Sequence, residues 1–229
     1  MIVGTGLIGK SLSGIDTAGI TVFASGVSNS RETDAKEFLR EKSLLESHLN
    51  GQSNSKLVYI STCSVNDPSK SDSPYVIHKK LMEHLVLSHP DTHIVRLPNV
   101  VGPDGNSNNL VNYFVKSIRS GETLTVQESA RRYILGVDEL AKLMEAFISL
   151  LPDTNRVIDF VPPISTSVLD LVHLIEKILG IKTDISIVPG GSSYPIDFSN
   201  TAKYSKLSEI EFLHGYVESV LKKWITNKG

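Results

Sequence analysis

Two neighbouring stretches carry side chains whose types and spacing suit an acid/base centre. Ser61-Thr62-Cys63-Ser64-Val65 delivers hydroxyl groups at the end of an apolar run from Lys56 to Ile60. After a short polar loop, Ser73-Pro74-Tyr75-Val76-Ile77-His78-Lys79 opens a helix at Pro74, a residue suited to a first helical turn. Tyr75 and Lys79 stand at i and i+4, so the phenol and the ammonium share one helix face and one site. A cation beside a phenol favours phenolate and lowers its pKa, which acid/base work near neutral pH requires. Tyr and Lys four apart also occur by chance in many helices, so the pair needs support from the rest of the chain.

Gly4-Thr5-Gly6-Leu7-Ile8-Gly9 lies between a very short strand, Ile2-Val3, and a helix. In a dinucleotide-binding turn the first glycine makes the tight bend and the second lets backbone approach a pyrophosphate. The third packs helix on strand, with the phosphate at the helix N-terminus. A plain glycine-rich turn is the competing reading.

The positioning elements alternate in type. The helix after Gly9 ends by Ile15, because Asp16-Thr17-Ala18-Gly19 reads as a turn. Strands are expected at 20–24, 56–61, 94–98, 124–126, 156–161 and 185–188. Helices are expected at 34–49, 75–89, 110–120 and 137–150, from a Thr166 or Ser167 cap to Gly180, and at 208–226. Asp104 to Asn109 reads as a polar Gly/Asn loop. Alternating strands and helices imply an α/β, doubly wound, mostly parallel sheet covered on both faces. Ligands then belong at the carboxyl ends of the strands, where Gly4 to Gly9, Ser25-Gly26, Thr62 and Asn99 all fall.

A chain of 229 residues that is 40% hydrophobic and 21% charged is one large domain, or one core with an appendage. Its net charge of −2 argues against nucleic-acid or anionic-membrane partners. The lone Cys63 excludes an intrachain disulfide and suits a reducing compartment. Seven scattered histidines without HExxH or a cysteine cluster argue against a metal site. No signal-length or membrane-spanning apolar segment stands out, so the cytoplasm is the expected compartment.

Taken in order, these motifs resemble the extended short-chain dehydrogenases/reductases, the NAD-dependent epimerase/dehydratase family. Gly4 to Gly9 looks like the cofactor glycine loop, and Val58 to Val65 like the strand ending in the catalytic Ser/Thr. Pro74 to Lys79, with Glu83 beyond, is similar to the Tyr-x-x-x-Lys helix. Arg96-Leu97-Pro98-Asn99-Val100-Val101-Gly102-Pro103 is similar to the family's Arg-Leu-x-Asn-x-x-Gly-Pro stretch. Arg132 to Leu140 is a looser match, to an arginine leading into Val-Asp-Asp-Leu.

The resemblance implies a Rossmann-like core, residues 1–101 and 134–162. A smaller substrate-side α/β portion, 102–133 and 163–229, would complete one compact unit. It implies Thr62, Tyr75 and Lys79 as catalytic residues. NAD or NADP would be held by Gly4, Gly6, Leu7, Ile8, Gly9, Ala24, Ser25, Gly26, Ser61, Tyr75, Lys79 and Pro98. A nucleotide-linked sugar would be held by Ser64, Asn99 and Arg132, the arginine lying near a phosphate. It further implies a homodimer through helices 34–49 and 75–89, and a role in making polysaccharide precursors.

The departures are also informative. The strand 20–24, with Ala24-Ser25-Gly26 at its tip, resembles the family's fourth strand better than its second, so the second and third are largely missing. That accounts for the lack of an Asp or Glu at the tip of strand 20–24, where a dinucleotide fold would hold the adenosine ribose. The rival alignment makes 20–24 the second strand, with Ser28 and Arg31 placed for the 2′-phosphate of NADP. Cys63-Ser64 stands where nucleotide-sugar 4,6-dehydratases carry Asp-Glu, so dehydration is disfavoured against epimerisation or reduction at a sugar C4. Cys63 itself reads as a small buried residue. The alternatives are a weak or inactive member that binds a nucleotide or a partner protein, and an NADP-dependent reductase of a non-sugar carbonyl. The missing strands predict weak dinucleotide affinity, and calorimetric NAD binding at micromolar strength or tighter would overturn that reading.

Overall fold

The computed structural model describes residues 1–51, 56–103, 109–154, 156–191, 193–194 and 196–226; the centre of the expected polar loop, 104–108, lies outside them. Five parallel strands form the central sheet: β1 (Ile2–Val3), β2 (Ile20–Phe23), β3 (Lys56–Thr62), β4 (Thr92–Leu97) and β8 (Val157–Asp159), in the order β1-β2-β3-β4-β8. Val22 pairs with Val58, Tyr59 with Ile94, and Val95 with Ile158. The fold is the expected α/β type with a Rossmann-like sheet.

Side chains alternate across this sheet as strand geometry requires. Val58, Ile60, Val95 and Leu97 face a core shared with Leu12, just after α1 (Leu7–Ser11), and with Leu140, Leu143 and Phe147 of α5 (Val137–Ser149). Leu57, Tyr59 and Ile94 face the opposite core. There they meet Leu45 of α2 (Ala35–Gly51) and Met82 and Val86 of α3 (Pro74–Leu87). Helices therefore cover both faces.

The strands advance in one direction from β1 to β4, yet α1 and α2 lie on opposite faces. The β1–α1–β2 and β2–α2–β3 crossovers must then have opposite hands. Parallel crossovers are right-handed in about 98% of cases, so one connection here belongs to a rare class. Since α2 and α3 share a face, β1–α1–β2 is the odd one out. A unit that has lost the excursion beyond β1 produces this pattern. In the usual dinucleotide-binding order 3-2-1-4-5-6 the first strand is central, whereas here β1 is at the edge, and β2 lies between β1 and β3. That position matches the fourth-strand alignment of residues 20–24 and removes the second-strand alternative.

The remaining elements are β5 (Asn99–Val101), α4 (Leu110–Ser120), β6 (Leu124–Gln127), β7 (Arg131–Gly136), β9 (Ser165–Ser167), α6 (Val168–Leu179), β10 (Ile185–Val188), α7 (Ser199–Leu207) and α8 (Tyr216–Thr226). They form the small pairings β5-β7-β9 and β6-β10 around a second core of Phe114, Ile118, Leu171, Ile175, Val220 and Leu221. Ser167 caps α6 by accepting from the Asp170 N–H, and Gly180 ends it in the left-handed region. The single helix expected over 208–226 is corrected: α8 starts only at Tyr216. Glu209 and Gly215 have positive φ (54° and 87°), which interrupts any helix. Tyr216 is held edge-on to Phe212 and accepts a hydrogen bond from the Gly136 N–H, tertiary contacts that no local periodicity encodes. Among the described residues no helix is long and apolar enough to cross a membrane.

A Cβ on Gly9 would collide with the Gly4 carbonyl, whereas one on Gly6 meets open space. Gly9→Ala should therefore destabilise by about 1–3 kcal/mol, with Gly6→Ala changing stability by no more than about 0.5 kcal/mol. Urea unfolding of the two variants measures the contrast.

Candidate active site

A cavity of about 960 Å³ opens at the carboxyl ends of β1 to β4. Its floor combines the glycine loop (Thr5, Gly6, Leu7, Ile8), the tip of β2 (Ala24, Ser25, Gly26) and the end of β3 (Ser61, Thr62, Ser64). Tyr75, Lys79, Pro98, Asn99 and Arg132 complete the set expected from the sequence. Gly4 and Gly9 stand behind this wall. Gly4, at φ 135°, leaves no room for a side chain against the Ala24 carbonyl, and Gly9 packs on Gly4. The two support the turn, while Gly6 leaves its own backbone open to the cavity.

Thr62 ends β3 and caps the following 3₁₀ turn, its Oγ1 accepting from the Ser64 N–H at 3.2 Å. Tyr75 lines the same cavity wall, and the Thr62 hydroxyl beside it favours the ionised phenol. Beneath them Arg96 grips Glu83 through Nε (2.9 Å) and Nη2 (2.6 Å), and Ser61 donates to the same carboxylate at 2.6 Å. This bidentate pair ties β3, β4 and α3 together under the site. Ser61 thus lines the cavity with its hydroxyl already engaged. Asn99 donates to the Tyr133 carbonyl at 3.2 Å, joining β5 to β7. Arg132 donates Nη1 to the Arg131 carbonyl at 2.7 Å. Cys63 is buried, and burial pushes its thiol well above the usual range, which leaves it a packing residue.

Lys79 differs from its expected role. Its Nζ lies 2.8 Å from Glu41 Oε1 and 3.0 Å from the Tyr59 hydroxyl, and 6.0 Å from the Tyr75 ring centre. The ammonium is thus paired with a carboxylate instead of acting on Tyr75 alone. Tyr75 is pushed up from its ordinary pKa by burial, with the Thr62 hydroxyl working against the shift and the Glu41 charge adding to it. The lowered phenol expected from the Tyr/Lys spacing is therefore not what the tertiary environment produces.

Glu41 was not among the residues that motif reading singled out. It is fully buried and accepts from the Val27 N–H (2.6 Å), from Tyr59, from Lys79 and, at 3.0 Å, meets His78 Nε2. Its signal was present in the sequence. Phe38, Glu41, Leu45 and Leu49 follow a 3-4-4 spacing, so a carboxylate sits within the apolar stripe of α2. Lys70, Tyr113 and Tyr194 also line the cavity and were likewise missed, because they come from segments far apart in the chain.

Arg31, Lys70 and Arg132 converge on the cavity, and among the described residues none has a carboxylate within 4.0 Å. Burial lowers the Lys70 ammonium from its ordinary pKa, and the charges of Arg132 and, to a lesser extent, Arg31 lower it further. Arg31 lies 5.2 Å from the Tyr113 ring centre and so reaches across to α4, not toward an adenosine edge beside β1. Among the described residues no group of three or more His, Cys, Asp or Glu could hold a metal ion.

The sheet, its glycine turn and a hydroxyl–phenol–ammonium set at the strand ends define a dinucleotide-fold protein of the dehydrogenase/epimerase class. A family model described as "NAD dependent epimerase/dehydratase family" matches residues 15–157, and the chain belongs to that family. The match begins beyond the Gly4 to Gly9 loop. Among solved structures, the UDP-glucuronic acid 4-epimerase of Bacillus cereus, in complex with UDP-glucuronic acid and NAD, is 20% identical. It superposes with a TM-score of 0.67 over 98% of this chain and 80% of that one. RMD from Pseudomonas aeruginosa, complexed with NADPH, is 13% identical with a TM-score of 0.73, covering 100% of this chain and 99% of that one. The Thermus thermophilus UDP-glucose 4-epimerase, complexed with NAD, is 15% identical with a TM-score of 0.67, covering 91% and 76%. A comparison with curated proteins found no match.

Burial pushes the Glu41 carboxyl up, but Lys79 and the hydrogen bonds from His78, Lys79 and Tyr59 outweigh it and hold the group well below the usual carboxylate range. A depressed folded value means that this pair adds stability above about pH 4.5, lost as the pH falls from there toward the folded value. Glu41→Leu should cost about 3–5 kcal/mol at neutral pH, because Lys79 would be left buried and unpaired. Its stability should also fall less steeply on acidification, as denaturant unfolding at a series of pH values would show.

Proposed function

We propose that this protein is an NAD(P)-dependent epimerase or reductase acting on a nucleotide-linked sugar, with Tyr75 as the acid/base. The observation that carries the reading is the single cavity that gathers Thr62, Tyr75, Lys79 and Gly6 with Arg31, Lys70 and Arg132, cations that among the described residues have no carboxylate within 4.0 Å. Thr62 orients the reacting oxygen and shares its proton with Tyr75. Lys79 lines the wall where the nicotinamide ribose would lie, with its ammonium held by Glu41 and Tyr59. Arg132, with Arg31 and Lys70, meets the substrate's diphosphate, since fixed guanidinium groups suit phosphate geometry. Asn99 and Ser64 contact the substrate, and residues 102–133 and 163–229 form its side of the molecule.

Several features support a nicotinamide cofactor. The open face of Gly6 and the close packing of Gly4 and Gly9 are what a pyrophosphate needs at such a turn. When bound, the nicotinamide supplies or accepts the hydride. The adenosine half has less support, because β1 is the sheet edge. That edge favours one second reading, a member with weak turnover that chiefly binds nucleotide. Glu37 is the one carboxylate on the described cavity wall, and Arg40 holds it. Among the described residues no second carboxylate lines the cavity beside Tyr75, which favours epimerisation or reduction. Leu39, Ile77 and Leu81 are exposed on α2 and α3, as a homodimer through these helices requires.

Tyr75→Phe should fold normally and lose about 10²–10⁴-fold in kcat with a nucleotide-linked sugar; full activity in that variant would refute the assignment. Lys70→Ala and Arg132→Ala should each raise the Kd for uridine diphosphate about tenfold to a hundredfold in calorimetry. Unchanged affinity in both would remove the diphosphate from this cavity.

A further inference from the structure

We propose that Glu41 is the positioning residue of this site: its buried carboxylate fixes Lys79 and balances its charge, so that Tyr75 meets substrate as a neutral phenol and delivers a proton to a carbonyl oxygen. This deepens the reading above and rests on it.

The geometry leaves Lys79 little freedom. Its Nζ is held by Glu41 Oε1 and the Tyr59 hydroxyl, and the side chain is 3% exposed. Gly26 closes the remaining side, since a Cβ there would collide with Lys79 Nζ and crowd Glu41. Glu41 in turn is anchored by partners from three other segments: Val27 after β2, Tyr59 on β3, and His78 with Lys79 on α3. Four donors on one carboxylate keep it ionised in a buried setting. The pair is therefore a closed cation–anion unit.

The groups facing Tyr75 come from each neighbouring element. The Thr62 hydroxyl and the Tyr59 phenol of β3 face it, and the Cys63 thiol is buried beyond them. The Glu41 carboxylate of α2 and the Lys79 ammonium of α3 complete the set. An unpaired ammonium in this position would favour phenolate, but with Glu41 beside it the two charges largely cancel at the phenol. The direction of chemistry follows. The Tyr75 O–H bond breaks and an O–H bond forms on the substrate's carbonyl oxygen; a reduced nicotinamide dinucleotide, when bound, would supply the hydride that the carbonyl carbon needs. Solvent then returns a proton to the phenolate. A keto sugar is the matching substrate, so the reaction that supplies it must oxidise or dehydrate a hydroxylated sugar.

The test is a pH titration by NMR of the full chain carrying ¹³C at the tyrosine hydroxyl-bearing carbon, with the Tyr75 signal assigned by its loss in Tyr75→Phe. Tyr75 should remain a phenol up to about pH 10. Glu41→Gln, which keeps the shape and a hydrogen-bond acceptor but removes the charge, should lower its midpoint by about one unit, roughly a tenfold gain in phenolate at a given pH. Titration of Tyr75 near neutral pH in the parent, or an unmoved midpoint in folded Glu41→Gln, would overturn the proposal. Should Glu41→Gln not fold, the parent labelled at glutamate carboxyl carbons decides. Glu41 should stay ionised down to about pH 3, and titration in the ordinary carboxylate range overturns the proposal. None of these readouts needs turnover. Full activity in Tyr75→Phe would thus sink the proposed chemistry and leave the Glu41–Lys79 charge balance intact.

Discussion

A single buried carboxylate ties together the parts of the molecule that make the cavity. Glu41 projects from α2 and receives the backbone of the loop after β2, the phenol of Tyr59 on β3, and His78 and Lys79 on α3. Each of those donors would be costly to bury alone, and so would the carboxylate. Together they satisfy one another and leave no slack in the positions of Gly26 and Lys79 on the cavity floor. A second pair, Glu83 with the half-buried Arg96, does the same one turn along α3 for β3 and β4. The substrate-side elements are attached to a base that these two pairs hold rigid.

That rigidity matters because the sheet beneath the cavity is narrow on one side. With β1 at the edge, the glycine turn is supported by only one neighbouring strand, through the pairing of Val3 with Phe23 and the close contact of Gly4 with Ala24. The odd hand of the β1–α1–β2 crossover is tolerated because α1 is short and Leu12 buries fully against α5. The cavity wall around Thr62 and Tyr75 carries hydroxyls and cations, whereas the glycine turn stands on an edge strand.

Much of this was readable in advance, for physical reasons that differ by element. The strands and the helices α3 to α6 carry apolar periodicity, caps and breakers that act locally, so Ser167, Gly121 and Gly180 appear where helices begin or end. Gathering Gly6, Ser25, Thr62, Tyr75 and Asn99 at one edge follows from parallel strand geometry alone. The stretch after Leu207 was misread, because Phe212 and Tyr216 keep helical spacing while tertiary contacts and positive φ values at Glu209 and Gly215 break the helix. Lys70 and Tyr194 were invisible as cavity residues, since nothing in their own segments marks which way they face.

The sequence alone determined the parallel α/β architecture, the order of motifs, and which hydroxyl, phenol and ammonium stand together, because periodicity and strand-end geometry are local rules. It did not determine the charge state of that site. Whether Lys79 acts as a free cation or a balanced one depends on a carboxylate 38 residues away in the chain and 2.8 Å away in space. Electrostatics in a buried site are set by what lies within a few ångströms, and only the tertiary structure decides that.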